Sequence, residues 1–244
     1  MFKNNLMNNE ELYLRLIEKE YNNQLSRFEG TDKQLSNKIN NFKQDFEFKI
    51  KQIILEETRE FNDYSIDIHT SAEFNIGLDS GYDGTAIHLY SLEKNIDELL
   101  IISQGSQDVK DWEYNLKSLF AGDKPIQATD TIAFINNLKD ELQISEKTRI
   151  SGLSHSLAHN NNITAHLSHL TNNNEILFDS IYSVNGAQSN YYQLYFEDSL
   201  FREAINRSFS KSVNSTEQVV YNLDPNELHD FAQEYYKDKI PVVN

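Results

Sequence analysis

The sequence predicts an α/β fold, in which a mostly parallel sheet is flanked by helices on both faces. Strand-like segments, either alternating or continuously apolar, recur from about residue 65 onward. Amphipathic segments with the three- and four-residue spacing of helices lie between them. The run 99–103, Leu-Leu-Ile-Ile-Ser, is continuously apolar, which is typical of a strand buried on both faces. Because strands that alternate with helices are joined by crossovers, we expect the strands between about 85 and 225 to be parallel.

The elements divide the chain into an N-terminal helical hairpin over 1–62 and an α/β domain over 63–244. In the hairpin, apolar residues recur at helical spacing from Leu14 to Phe28 and from Leu35 to Ile53. Gly30 ends the first helix, and a T-x-x-Q capping box begins the second at Thr31. We expect the hairpin to pack on the following domain, with a docking surface for another protein as the alternative.

The α/β domain contains six predicted strands and three predicted helices. The strands cover 64–69, 85–90, 99–103, 149–153, 176–184 and 218–223, and the helices cover 126–143, 157–170 and 199–209.

Composition excludes several classes of function. The net charge of −16 argues against nucleic acid as a partner, because binding phosphates requires a basic surface. The absence of cysteine excludes disulfides, thiol catalysis and cysteine-ligated metals. The sequence contains no run of about 18 apolar residues, so it predicts no transmembrane helix. The N-terminus lacks the apolar core of a secretory leader, so we expect a chain that is cytoplasmic or is exported without a cleaved signal peptide.

The segment 148–159 is the strongest candidate for chemistry. An apolar strand leads into small residues around Ser156, and a helix-like segment follows, which is the order of a nucleophile elbow. The usual pattern is G-x-S-x-G, but here Ser154 and Ala158 occupy the glycine positions. Ser154, in Gly-Leu-Ser-His-Ser, is therefore the alternative elbow serine.

Two further segments are expected to end at the same edge of the sheet as the elbow. The turn 103–107 follows the buried strand, and Gly105 in it allows a substrate to approach the backbone closely. Asp224 follows the last predicted strand. Active sites of open parallel sheets lie beyond the carboxyl ends of the strands, so all three segments are predicted to meet there.

Together these motifs resemble the class 3 (fungal-type) lipase family of α/β-hydrolases. Gln104-Gly105-Ser106 stands where that family has R-G-T, and 111–115 (Asp-Trp-Glu-Tyr-Asn) is similar to its D-W-x-x-N/D segment. His155-Ser156-Leu157 matches the centre of G-H-S-L-G-G, and the segment 181–187 is similar to the strand after the elbow helix. The resemblance covers about 65–225 and implies the α/β-hydrolase fold.

The resemblance also implies roles for individual residues. Ser156 corresponds to the nucleophile and Asp224 to the acid of a catalytic triad, while Ser106 and the Leu157 amide correspond to the oxyanion hole. The family's catalytic histidine lies well beyond the acid, whereas here only His229 follows Asp224, five positions later. We therefore expect the histidine to lie outside these 244 residues, the domain to be incomplete at its C-terminus, and the 244-residue chain alone to be inactive.

The four histidines at 155, 159, 166 and 169 do not predict a metal site. His166 and His169 are one helical turn apart, but no nearby carboxylate completes a ligand set. We expect these side chains to be solvated or locally hydrogen-bonded, and we expect no cofactor.

The resemblance implies a lipase or phospholipase that cleaves acyl esters of lipids. An acidic, leaderless chain with a helical hairpin before a lipase domain is also similar to bacterial lipase toxins of the type VII secretion route. Small helical secretion partners and an immunity protein are the partners that this second resemblance implies. The alternative is a catalytically inactive hydrolase-fold module that binds another protein.

Overall fold

The structure, a computed structural model, describes residues 10–20, 25, 28–58, 64–104, 126–186, 190–209 and 219–243. These residues form one six-stranded sheet in which the strands follow one another in chain order. The strands are β1 (Ser65–Thr70), β2 (Gly84–Ser91), β3 (Ile96–Ser103), β4 (Arg149–His155), β5 (Ser180–Val184) and β6 (Val242–Val243).

The sheet is mixed, and its larger part is parallel. β1, β2 and β3 form an antiparallel meander, and β3 to β6 run parallel to one another. Ser154 pairs with Ser103 on one side and with Ser183 on the other, so β3, β4 and β5 end at one edge. The predicted α/β class with a mostly parallel, helix-flanked sheet is confirmed.

Helices cover both faces of this sheet. They are α1 (Glu10–Glu20), α2 (Asp32–Thr58), α3 (Ile126–Leu142), α4 (Ala158–Asn173), α5 (Tyr191–Glu197), α6 (Ser199–Phe209) and α7 (Pro225–Tyr236). Helices α1 and α2 pack on one face of the sheet, in a core that includes Leu100 and Ile102. Helices α3 to α7 pack on the opposite face, in a core that includes Leu99 and Ile101. Because alternate residues of β3 enter opposite cores, the run that predicted this strand has no polar residue from Leu99 to Ile102.

The N-terminal hairpin forms the outer layer on one face of the sheet. Its second helix begins with the predicted capping box, in which the Thr31 amide donates to the Gln34 side chain at 2.9 Å and the Gln34 amide donates to Thr31 Oγ1 at 3.4 Å. Phe46 and Ile50 of α2 and Leu16 of α1 are buried in the core that includes β3 and β4. The predicted packing of the hairpin on the α/β domain is therefore present in the structure.

Two predictions near the C-terminus are wrong. The strand predicted over 218–223 is a 3-10 helix over Val219–Asn222, with residue 218 outside the described residues. Val220 is buried among helices, and Tyr221 stacks on Tyr192 of α5. Side-chain packing therefore holds this segment in place, and it pairs with no described strand. The end of the chain, where no strand is predicted, instead forms β6 beside β5. Two residues are too few to show a strand period.

The strand predicted over 176–184 begins only at Ser180. Leu177 and Phe178 are buried, whereas Ile176 is exposed. The Phe178 amide donates to His166 Nδ1 at 3.2 Å and not to a strand. The Asp179 carboxylate accepts from the Ile150 amide at 2.7 Å. The sequence does not predict α5, whose N-cap, Asn190, accepts from the amides of Tyr192 and Gln193.

Candidate active site

The chain turns sharply between β4 and α4, and Ser156 lies at that turn. Only Ser156 and Leu157 separate the last residue of β4 from the first residue of α4. Ser156 has φ 55°, in the left-handed region, which is costly for a residue with a side chain. Its amide donates to the Val184 carbonyl at 3.2 Å, and its carbonyl accepts from the His159 amide at 3.2 Å. The turn is thus bonded both to β5 and to the first turn of α4.

The two candidate serines have different environments. Ser154 lies within β4, is fully buried, and donates from Oγ to the Tyr182 carbonyl at 3.3 Å. Ser156 is half-buried, and its side chain forms no hydrogen bond within the described residues. The strained turn and the unbonded hydroxyl therefore belong to Ser156.

Small residues allow the turn to close although the usual glycines are absent. Ser154 and Ala158 are both completely buried. Two residues before Ser154, a Cβ added to Gly152 would lie 3.1 Å from Asn162 Nδ2 and 3.1 Å from a ring carbon of Phe178. The close approach of α4 to β4 therefore depends on Gly152, which occupies a different position from the glycines of the usual motif.

The Leu157 amide is available at this turn. The N–H groups in the first turn of a helix have no partner within the helix and attract negative charge. The Leu157 N–H donates no hydrogen bond within the described residues. Ser106, Gly105 and the segment 111–116 lie outside the described residues.

The carboxyl end of β3, which precedes Gly105 and Ser106 in sequence, is held by a residue of the N-terminal hairpin. Glu20, the last residue of α1, is 2% exposed. Its Oε1 accepts from Thr85 Oγ1 at 2.7 Å and from Gln104 Nε2 at 2.9 Å. The Gln104 amide also donates to the Asp83 carbonyl at 3.0 Å. Glu20 is not among the residues predicted from the sequence, although an acidic residue in line with Leu16 and Ile17 on the apolar face of α1 is a visible signal.

Asp224 is the N-cap of α7. Its Oδ1 accepts from the Asn226 amide at 2.8 Å and from the Glu227 amide at 3.4 Å, and the residue is exposed. Among the described residues, no imidazole is hydrogen-bonded to its carboxylate. The strand that was predicted to carry Asp224 to the sheet edge is absent from the described residues, so its role as triad acid stays a prediction.

The capping role of Asp224 predicts a specific pattern of stability. Asp224→Ala should lower the free energy of unfolding by about 1 kcal/mol, because two N–H groups of α7 lose their acceptor, whereas Asp224→Ser should retain most of it. Urea unfolding of the three proteins measures this difference, and equal losses in both variants would contradict the capping role. Serine cannot serve as a triad acid, so the same pair shows whether activity requires the carboxylate.

His159, on the first turn of α4, lies beside the end of β5. A Cβ added to Gly186 would lie 2.7 Å from His159 Cγ and 2.5 Å from Ser183 Oγ, so these two side chains are close together. Within the residues that the structure describes, His159 Nδ1 and Ser183 Oγ are both buried without a hydrogen bond. Burial lowers the pKa of His159, so this imidazole is neutral at physiological pH.

His166 joins three parts of the structure from the middle of α4. It is buried, stacks on Phe178 with an interplanar angle of 16°, and accepts from the Phe178 amide. Burial lowers the pKa of His166 below its ordinary value of 6.5, and a hydrogen bond with the Lys239 backbone opposes that shift. The neutral imidazole therefore contributes to folding and is not free to bind a metal.

The lowered pKa of His166 predicts a loss of stability in mild acid. Because the unfolded chain binds a proton at a higher pH than the folded chain, the contribution of His166 is complete above about pH 6.5 and falls as the pH decreases. His166→Asn, which does not titrate, should show a smaller decrease in unfolding free energy between pH 7.5 and 5.5. Urea unfolding at both pH values measures this, and identical decreases would contradict it.

No group of three or more metal-ligating side chains is assembled in the part of the chain that the structure describes. Within the same residues, no helix is both long and apolar enough to cross a membrane.

A family model for a domain of unknown function, DUF6792, matches residues 11–244. The chain belongs to the DUF6792 family. Its similarity to the uncharacterized protein YvcB of Bacillus subtilis (strain 168) is 38% identity over 255 residues. That match covers 100% of this DUF6792 chain and 38% of YvcB, so the chain spans well under half the length of this relative.

A solved structure gives a weaker match to this DUF6792 chain. It is the crystal structure of an esterase from the bacterial hormone-sensitive lipase family, with a TM-score of 0.29 and 11% identity. The match covers 96% of this chain and 71% of the esterase chain. A TM-score of this size is too low to assign either the fold or the activity.

Proposed function

We propose that this protein is a serine ester hydrolase and that Ser156 is its nucleophile. The observation that carries the proposal is the left-handed conformation of Ser156, φ 55°, at a two-residue turn between a parallel strand and a helix. Proteins retain strain of this kind where function requires it, and a nucleophile elbow requires it to expose the serine hydroxyl. The hydroxyl forms no hydrogen bond within the described residues, so no described side chain holds it away from a substrate.

In the proposed reaction, Ser156 Oγ forms a bond to the acyl carbon, and the alcohol leaves with a proton. Water then cleaves the acyl-enzyme and releases the acid. The negative charge that develops on the carbonyl oxygen lies at the N-terminus of α4, where the Leu157 N–H is a suitable donor. We propose Ser106 as the second donor, on the resemblance described above.

The proton must be accepted by a base. All seven histidines lie in the described residues, and within those residues no imidazole is hydrogen-bonded to the Ser156 hydroxyl. We therefore retain the prediction that the catalytic histidine lies outside these 244 residues, and Asp224 remains the candidate acid from the resemblance.

The finer parts of the proposal rest on the resemblance. In this proposal the substrate is a glycerolipid or a phospholipid. The protein is exported as a toxin without a cleaved leader, and it pairs with small helical secretion partners and an immunity protein. The missing base favours a second candidate function, a non-catalytic module that binds another protein.

Ester hydrolysis tests the proposal. The natural full-length protein should hydrolyse soluble p-nitrophenyl acyl esters, and Ser156→Ala should remove that activity, while release of fatty acid from phospholipid and glycerolipid vesicles tests the substrate class. Activity that persists in Ser156→Ala would contradict the proposal. If the natural protein hydrolyses none of these esters and does not react with a fluorophosphonate, the non-catalytic alternative is supported.

A further inference from the structure

Three consecutive asparagines, Asn160–Asn162, are buried in α4 directly after the elbow. Their exposed fractions are 0%, 1% and 0%. Asparagine is a poor helix former, and burying an amide is costly unless it is hydrogen-bonded. Apolar residues at these positions would satisfy helix packing alone, so the amides require another explanation.

Each asparagine binds a different element. Asn160 Nδ2 donates to Gln193 Oε1 of α5 at 3.2 Å, and Asn161 Nδ2 donates to Gln127 Oε1 of α3 at 2.7 Å. Asn162 Oδ1 accepts from Ser103 Oγ, at the end of β3, at 3.0 Å. Successive side chains of a helix point about 100° apart, so the three bonds hold α4 from three directions.

The partners of these bonds are themselves buried or anchored. Gln127 and Gln193 are 3% and 0% exposed. Gln127 also donates from Nε2 to the Ser80 carbonyl at 3.0 Å, and Ser103 Oγ lies 3.3 Å from the Tyr82 hydroxyl. A buried network of this kind favours one orientation of its elements over alternatives of similar packing.

The same turn of α4 is bonded to the elbow. The Asn161 amide donates to the Leu157 carbonyl at 3.4 Å, and the His159 amide donates to the Ser156 carbonyl. A rotation or shift of the α4 N-terminus therefore moves both Ser156 and the Leu157 N–H.

We propose that Asn160, Asn161 and Asn162 are positioning residues for Ser156, a role that rests on the function proposed above. They hold the first turns of α4 against α3, α5 and β3, and so fix Ser156 and the Leu157 N–H relative to the carboxyl end of β3. Catalytic geometry is sensitive to shifts of about 1 Å, so loss of one bond should lower the reaction rate more than its effect on stability explains.

The test removes the partners of Asn160 and Asn161 and leaves the three asparagines unchanged. Gln127→Met and Gln193→Met each remove one bond to α4, and Gln127→Met also removes the bond to the Ser80 carbonyl. Thr171→Val is the matched control, because Thr171 bonds the last turn of α4 to Asp198 at 3.1 Å, far from the elbow. The rate of labelling by a fluorophosphonate and the melting temperature are measured for each natural-length variant, across pH.

We expect both Met variants to be labelled about 10- to 100-fold more slowly than the parent protein, with the midpoint of the pH profile unchanged. Thr171→Val should retain the parent rate at a similar loss of melting temperature. Equal rates in all variants, or rates that follow the melting temperature in every variant including the control, would overturn the positioning role.

Amide hydrogen exchange separates this proposal from the proposed function. If the parent protein is not labelled at Ser156, the function fails, and exchange of the amides of 156–160 then decides the positioning role alone. Faster exchange of these amides in both Met variants, but not in Thr171→Val, supports the proposal that the three asparagines hold α4. Unchanged exchange overturns it.

Discussion

Ser156→Gly should lose ester hydrolysis by about 10³-fold or more and should nevertheless unfold at a higher urea concentration than the parent protein. The first effect follows from removal of the nucleophile. The second follows from φ 55° at this position, since the left-handed conformation costs a residue with a Cβ about 1–2 kcal/mol and costs glycine almost nothing. After the entropy of glycine is subtracted, we expect a gain of about 0.5–1 kcal/mol.

Two control variants separate these effects. Ser156→Ala should lose activity without the gain in stability, because alanine keeps the Cβ. Gln143→Gly relieves a similar φ of 48° at an exposed position after α3 and should leave activity unchanged. Urea unfolding and initial rates measure both quantities. A Ser156→Gly protein that is less stable than Ser156→Ala would show that the turn is not strained as described.

Glu20→Ala should lower the free energy of unfolding by about 3 kcal/mol. A buried donor that loses its acceptor costs about 1–3 kcal/mol, and the variant leaves the donors of Thr85 and Gln104 buried without this acceptor. Because Gln104 precedes Ser106, the proposed oxyanion donor, by two residues in sequence, we also expect slower labelling of Ser156.

Glu18→Ala is the matched control for this prediction. Glu18 lies on the same helix with a side chain that is 68% exposed, so its removal should change stability by less than about 0.5 kcal/mol. Chemical unfolding of the three proteins provides the comparison. Equal stabilities of Glu20→Ala and Glu18→Ala would show that α1 does not hold the sheet edge through this carboxylate.

Local patterns were sufficient to predict most of the fold. The buried run in β3, the capping box at Thr31 and the helical spacing in α2 and α3 are each confirmed by the structure. These signals succeed because burial on a defined face fixes the period of apolar residues. The predicted order of strand, turn at Ser156 and helix is likewise present.

The failures occur where tertiary contacts outweigh local preference. The β-branched pair Val219 and Val220 predicts a strand, but Val220 enters the core between helices, and the segment forms a 3-10 helix. β6 is defined only by its pairing with β5, which no local pattern shows. Within the candidate site, the amide network of Asn160–Asn162 depends on partners more than 30 residues away in sequence, so helical spacing alone does not reveal it.

The most direct test is to locate the adduct that a fluorophosphonate forms with the natural full-length protein. Only a serine whose hydroxyl is activated reacts at an appreciable rate. Peptide mass mapping should place a single adduct on Ser156, with no adduct in Ser156→Ala and an undiminished adduct in Ser154→Ala. An adduct on Ser154 or on another serine, or no adduct on any serine, would contradict the assignment of Ser156 as the nucleophile.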